Sequence, residues 1–189
     1  MSIHRHKNLK IYNVKKIFGL VAFLTLISSA SFAQTANLNI TLSDILSFTV
    51  TQPTALTVNF DTEAEYSNGI TAVATDHISV VSSRGYIVKA IAGSVTGSAA
   101  LTPGSVQLSS AIGTTNAGNT SGITYGSGVA LPALGGTPAT IVTATSSSWY
   151  GANSENKFNI SYLIGANGAY AGKATGVNVI PVVYTVTQP

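Results

Sequence analysis

Apolar and polar residues alternate most clearly over residues 36–50, ANLNITLSDILSFTV. Leu38, Ile40, Leu42, Leu46, Phe48 and Val50 share the even positions with Asp44, while the odd positions are mostly Asn, Thr or Ser. A period of two belongs to a β-strand, whose successive side chains point to opposite faces, so one side of this segment is built for burial. A lone strand is not stable in water. It must add to a sheet, its own or a neighbour's.

The rest of the chain repeats this grammar in shorter phrases. Gln52-Pro53 marks a break, because Pro lacks the N–H that a central ladder needs. Leu56, Val58 and Phe60 then alternate with Thr57 and Asn59, which predicts a second strand. Residues 61–69 read as an acidic loop ending in the turn dipeptide Asn68-Gly69. Residues 77–81 and 86–91 flank Ser82-Ser83-Arg84-Gly85 and predict a hairpin. Short strands are expected at 106–108 and 123–125, with a Gly/Asn/Thr-rich surface loop over 113–122. Residues 139–145 and 158–164 read as further strands, the second closed by the turn Ala166-Asn167-Gly168. At the end, Ile180, Val182, Tyr184 and Val186 share one face while Val177 and Val179 are in the opposite phase, which predicts a bulge near Ile180-Pro181.

No window sustains a 3.6-residue apolar period. About eight short strands separated by turn signals predict an all-β fold: a single antiparallel β-sandwich, immunoglobulin-like or pilin-like, with a barrel as the alternative closure. No internal repeat or domain linker interrupts it, so residues 34–189 are expected to form one domain that begins with the alternating strand 36–50.

The first 33 residues change the picture of charge. Arg5, Lys7, Lys10, Lys15 and Lys16 precede an uncharged, mostly apolar run over 17–27. Ser31 and Ala33 then stand at the −3 and −1 positions of a cut before Gln34. This order is that of a cleaved secretory signal peptide. The apolar run is about half the roughly 20 residues that a spanning helix needs, so no transmembrane segment is expected after cleavage. The whole chain carries +3, but residues 34–189 keep Arg84, Lys89, Lys157 and Lys173 against six acids, a net of −2. A basic footprint for nucleic acid is absent. With no Cys, the exported domain relies on packing and sheet hydrogen bonds rather than disulfides. Low charge also leaves little repulsion between copies, which suits a protein that assembles.

Candidate chemistry is sparse. His77 is the only His after residue 33, and adjacent Asp76 would point to the opposite face of a strand, poorly placed to orient it. Asp61, Glu63 and Glu65 would share one face of an extended segment and could hold calcium only with a loop signature that is missing, so a solvated acidic loop is the reading taken. Zinc is not expected with no Cys and a single His. Gly126-Ser127-Gly128 lacks the Lys-Ser/Thr pair and strand-to-helix setting of a phosphate loop. No catalytic residue, cofactor or metal is therefore assigned, and an enzyme is not expected. Trp149 and Tyr150 are the one adjacent aromatic pair after the leader. On an exposed loop they would stack on a sugar or anchor a partner protein; the competing reading makes Trp149 a core residue.

Four features together give a resemblance: the leader ending in SFA before Gln34, the segment ANLNITL just after it, a Thr/Val/Gly-rich domain, and the terminal strand IPVVYTVTQP. In outline the chain resembles secreted pilin-like sandwich proteins of Gram-negative bacteria, including fimbrial subunits of the chaperone–usher type. It departs from them in having no disulfide and in carrying Gln188 where many have a penultimate Tyr. The resemblance implies that an N-terminal extension completes the sheet of an adjacent subunit. Leu38, Ile40 and Leu42 would then be the inserted side chains, and Leu46, Phe48 and Val50 would begin the subunit's own first strand. The expected function is that of an exported structural protein, a fimbrial or extracellular-matrix subunit that associates with itself or related subunits. The alternative is a cell-surface module that binds glycan or a surface protein through Trp149 and Tyr150. Periplasm, outer surface and medium are all compatible with the leader.

Overall fold

Eleven strands are present among the described residues of the computed structural model, which are 38–51 and 55–189. The leader read over 1–33 and the break read at Gln52-Pro53 lie outside them. The strands are β1 (Leu46–Val50), β2 (Ile70–Ser82), β3 (Tyr86–Ala92), β4 (Thr96–Gly97), β5 (Val106–Ile112), β6 (Ile123–Tyr125), β7 (Val129–Ala130), β8 (Ala139–Ala144), β9 (Glu155–Ile164), β10 (Asn178–Val179) and β11 (Val182–Thr187). A short α-helix, α1 (Glu63–Asn68), precedes β2, and a 3-10 turn over Pro103–Ser105 precedes β5. The count exceeds the expected eight because β4, β7 and β10 are two-residue ladders, too short to show a period.

The fold is an antiparallel β-sandwich, as the alternation predicts. The first sheet runs β1-β2-β9-β5-β7 and the second β11-β3-β8-β6, with β10-β4 as a separate clasp. Even-numbered residues of both sheets meet in the middle. Ile78 and Val80 of β2, Leu108 of β5, and Phe158 and Ile160 of β9 face Tyr86, Val88 and Ala90 of β3 and Val142 of β8, and all are fully buried. Each large apolar side chain withdrawn from water in this way contributes about 1.5–3 kcal/mol before conformational entropy is subtracted.

Four expectations are corrected. Residues 77–81 and 86–91 do not form a hairpin, because β2 and β3 belong to different sheets. The 82–85 connection is a crossover, in which Ser82 Oγ donates to the Arg84 carbonyl (2.7 Å). A Cβ at Gly85 would lie 2.8 Å from the Ala144 carbonyl, so a side chain would push β3 off β8. The runs on both sides of the connection are apolar, and periodicity alone does not distinguish a crossover from a hairpin.

The second correction concerns residues 61–69, which contain α1 rather than only loop. Thr62 Oγ1 accepts from Glu65 N (3.3 Å), and Glu65 Oε2 accepts from Asp61 N (2.7 Å) and Thr62 N (2.8 Å). This capping box is written in the sequence as Thr62-x-x-Glu65. Third, residues 177–187 are not one bulged strand. β10 pairs with β4 and β11 with β3, and Ile180-Pro181 is where the chain changes partner. The change of phase in the sequence reflects a switch of sheet, not a bulge.

Finally, the first N-terminal alternating segment is only partly strand and the second is not strand. Of residues 36–50, β1 covers Leu46–Val50, and residues 38–45 are in no strand. Leu56, Val58 and Phe60 likewise belong to no strand. The residues from Ser43 onward form one compact unit, with residues 38–42 assigned to the preceding one.

Candidate functional site

The described residues hold a cleft of about 840 Å³ at one end of the sandwich. Its lining includes residues 55–61, which are in no strand, and 173–181, which contain β10. Val50, Leu56, Val58, Phe60, Leu101, Val106, Ile164, Ile180 and Val182 supply an apolar lining. Such volume and composition are typical of a binding site.

Each wall is held by identifiable bonds. The 173–181 segment is clasped by the β10–β4 ladder, by Ala99 N donating to Asn178 Oδ1 (2.9 Å), and by Ser98 Oγ donating to the Thr175 carbonyl (3.0 Å). Gly97, at φ 120°, makes the clasp possible, since a Cβ there would collide with Asn178 Oδ1. On the other side, the Phe60 ring packs 5.4 Å from Tyr66 and 5.2 Å from Tyr170. Gly165, at φ 70°, leaves room for those rings, and a Cβ would come within 2.7 Å of Tyr170.

The inner wall carries a polar cluster created by a bulge. The register of β2 against β9 shifts between Ala74 and Ile78, so that β2 has two more residues than its partner. Asp76 takes a left-handed backbone (φ 49°) and is tied down at both ends. Its N–H donates to Asn159 Oδ1 (2.7 Å), and its carboxylate accepts from Thr115 N (3.2 Å) and Thr115 Oγ1 (2.8 Å). Burial opposes ionisation of Asp76, but the Thr115 and Thr114 bonds and nearby Lys157 outweigh it and hold the carboxyl below its ordinary range. The Asp76 carboxylate is thus spent on Thr115.

His77 turns inward instead, and is 5% exposed. Its ring centroid lies 5.7 Å from that of Tyr184 on β11 and 6.4 Å from that of Tyr162 on β9, both near-perpendicular. The hydroxyls of Tyr162 and Tyr184 bond to each other across the two sheets. Burial pushes both tyrosines above their ordinary values. His77 Nδ1 is buried with no partner among the described residues. Burial lowers the imidazole from its ordinary 6.5, partly opposed by the Thr51 backbone.

The sequence-predicted site residues fall in separate places. Leu38, Ile40 and Leu42 are 82%, 71% and 90% exposed. Trp149 and Tyr150 sit on a turn closed by reciprocal Tyr150–Asn153 backbone bonds, and at 38% and 69% exposure neither is in the core. Ser148, just before them, bonds to Ser82, which places this turn beside the last residue of β2. Glu65 is spent on the helix cap, and no group of three acids or histidines able to hold a metal ion occurs among the described residues. No described helix is long and apolar enough to cross a membrane. The cleft itself is absent from the sequence reading, although the alternation of Leu56, Val58 and Phe60 signals one of its walls.

Compared with protein-family models and with curated proteins, the chain matches none.

Proposed function

We propose that this protein is an exported, non-catalytic structural subunit that assembles by β-strand addition, with Leu38, Ile40 and Leu42 of one copy seated in the cleft of the next. The observation that carries the reading is a complementarity: three exposed apolar side chains at alternate positions, and an apolar cleft whose wall strand is incompletely covered. On β11 the inward residues Val182, Tyr184 and Val186 are only partly buried, whereas Tyr86, Val88 and Ala90 on adjacent β3 are fully buried. Among the described residues β11 pairs only with β3, so its outer edge offers free N–H and C=O groups to an incoming strand. Three side chains at alternate positions of an extended segment span about 13 Å, at roughly 3.3 Å per residue. Such a head-to-tail contact gives open filaments when its rotation does not close. The leader read over 1–33 supports export, and the low charge supports close approach of copies.

Ile40→Asp tests the reading, because a carboxylate at the centre of the inserted segment loses the transfer energy of Ile and adds a buried charge. The expected result is a multimeric wild type and a monomeric variant with an unchanged circular dichroism spectrum. A monomeric wild type together with an unfolded variant would reject strand addition. A second reading has its own observation: the exposed turn that carries Trp149 and Tyr150 supports a glycan- or protein-binding surface at the Ser82 end of β2.

A further inference from the structure

One stretch of the chain has the pattern of a strand and none of its bonds. Leu56, Val58 and Phe60 alternate with Thr57 and Asn59, as Leu38, Ile40 and Leu42 do with Asn39 and Thr41. Among the described residues no backbone hydrogen bond joins residues 55–60 to another part of the chain. The stretch is fixed only at or beyond its ends. Thr51 N donates to the His77 carbonyl (2.7 Å), the last tie of β1 to β2. Phe60 packs on Tyr66 and Tyr170, and the α1 cap takes up Asp61 N. From Ala55 to Phe60 every residue lines the cleft, with Leu56 37% exposed and Val58 half-buried.

The same cleft is lined by a strand edge whose bonds can be counted. Gly93 N donates to the Pro181 carbonyl (2.9 Å), which stands opposite it in the β3–β11 register. Bonded pairs alternate along an antiparallel ladder, so Val183, Thr185 and Thr187 spend their N–H and C=O groups on β3. Val182, Tyr184 and Val186 turn theirs to the open edge, while their side chains pack against the core. A seated strand brings two rows of backbone groups and can bond one of them to this edge. The second row enters the cleft without partners unless a backbone there takes it up, and each buried group left unpaired is costly. The 173–181 lining is already tied to β4 and to Ala99. Residues 55–60 have bonds to spare. Charge agrees, since no charged residue occurs over 36–42, 51–60 or 174–189, and an uncharged strand meets uncharged surroundings.

We propose that residues 55–60 are the second edge of the socket. Residues 38–42 of a neighbouring copy bond to the open edge of β11 with one row of backbone groups and to 55–60 with the other, and 55–60 becomes a strand only when the neighbour is seated. This rests on the strand-addition reading above. Leu56 and Val58 then hold the neighbour, whose side chains cover what the free chain leaves exposed.

The test is amide hydrogen exchange of residues 34–189 carrying Ile40→Asp, alone and with excess peptide ANLNITLS. Alone, residues 55–60 are expected to exchange as freely as a loop. With peptide, their exchange and that of Val182, Tyr184 and Val186 should slow together. Leu56→Asp in the same chain should keep the circular dichroism spectrum and weaken peptide binding about tenfold, the loss of roughly half the burial of a Leu. Slower exchange at β11 without 55–60, at Leu46–Val50 in their place, or at 55–60 alone would overturn this inference and leave strand addition standing. So would slow exchange of 55–60 before peptide is added, which would make them a strand already. Unchanged or tighter binding by Leu56→Asp would also overturn it, the second result marking a plug that the neighbour displaces. Exchange unchanged everywhere by the peptide would remove strand addition, and this inference with it.

Discussion

The two ends of the sandwich solve the same problem in opposite ways. Each places tyrosine hydroxyls and a side-chain amide or imidazole between the sheets. At the sealed end, Tyr86 is fully buried against Phe158 and its hydroxyl accepts from Asn156 Nδ2 (2.7 Å), which also donates to the Asn119 carbonyl (2.9 Å). The loop after β5 closes over this cluster, with Gly118 so near that a Cβ would collide with Asn156 Oδ1. At the cleft end, Tyr162, Tyr184 and His77 make a comparable cluster, but among the described residues nothing comparable closes over them. Gln188 ties the sheets together at the sealed end, donating to the Ile45 carbonyl (2.8 Å) and to Ser82 Oγ (2.7 Å). Each end keeps one buried polar atom without a partner among the described residues, Asn156 Oδ1 at the sealed end and His77 Nδ1 at the cleft, so the apolar cleft and not an unpaired group is what separates them.

Substitutions that remove one hydroxyl sharpen this contrast. Tyr86→Phe leaves an Asn156 N–H buried without a partner and should cost about 1–3 kcal/mol in chemical denaturation. Tyr184→Phe also breaks a hydroxyl pair, and a cleft wet enough for Tyr162 to turn to water would hold the loss under about 1 kcal/mol. Equal costs would mean that the two ends are equally dry and would break the comparison. The ionisation of Tyr86 should follow the same logic. Burial pushes it up to about 12, so its neutral form stabilises the fold below pH 10 and that contribution is lost as pH rises from 10 toward 12. The smallest effect is expected at Trp149→Ala, about 0.5 kcal/mol, because that side chain stands on an exposed turn. A loss of several kcal/mol there would return Trp149 to the core.

The sandwich was legible because its inward residues keep strict parity. Tyr86, Val88 and Ala90, or Phe158, Ile160 and Tyr162, announce a strand and its buried face without any knowledge of partners. Partnership is what the period does not encode. It predicts a hairpin between β2 and β3 where the chain crosses between sheets, and one bulged strand where β10 and β11 pair elsewhere. The helix is announced by Thr62-x-x-Glu65 and obscured by a reading that stops at its charges. Residues 38–42 and 56–60 keep the alternation of strands without becoming strands in this chain alone. His77 is visible in the sequence only as an isolated residue, because its burial depends on a bulge set by Asn159 and Thr115, far away along the chain.

The absence of Cys permits a direct test of strand addition, since any disulfide formed must come from introduced residues. Single variants Leu38→Cys, Ile40→Cys and Leu42→Cys would each be mixed with Val182→Cys under mild oxidation and run on a non-reducing gel. A disulfide needs Cα atoms within about 7 Å, so it reports seating rather than mere proximity. Strand addition predicts a mixed dimer from one of the three pairs, abolished by excess ANLNITLS peptide. No mixed dimer from any pair, with both partners folded, would contradict it.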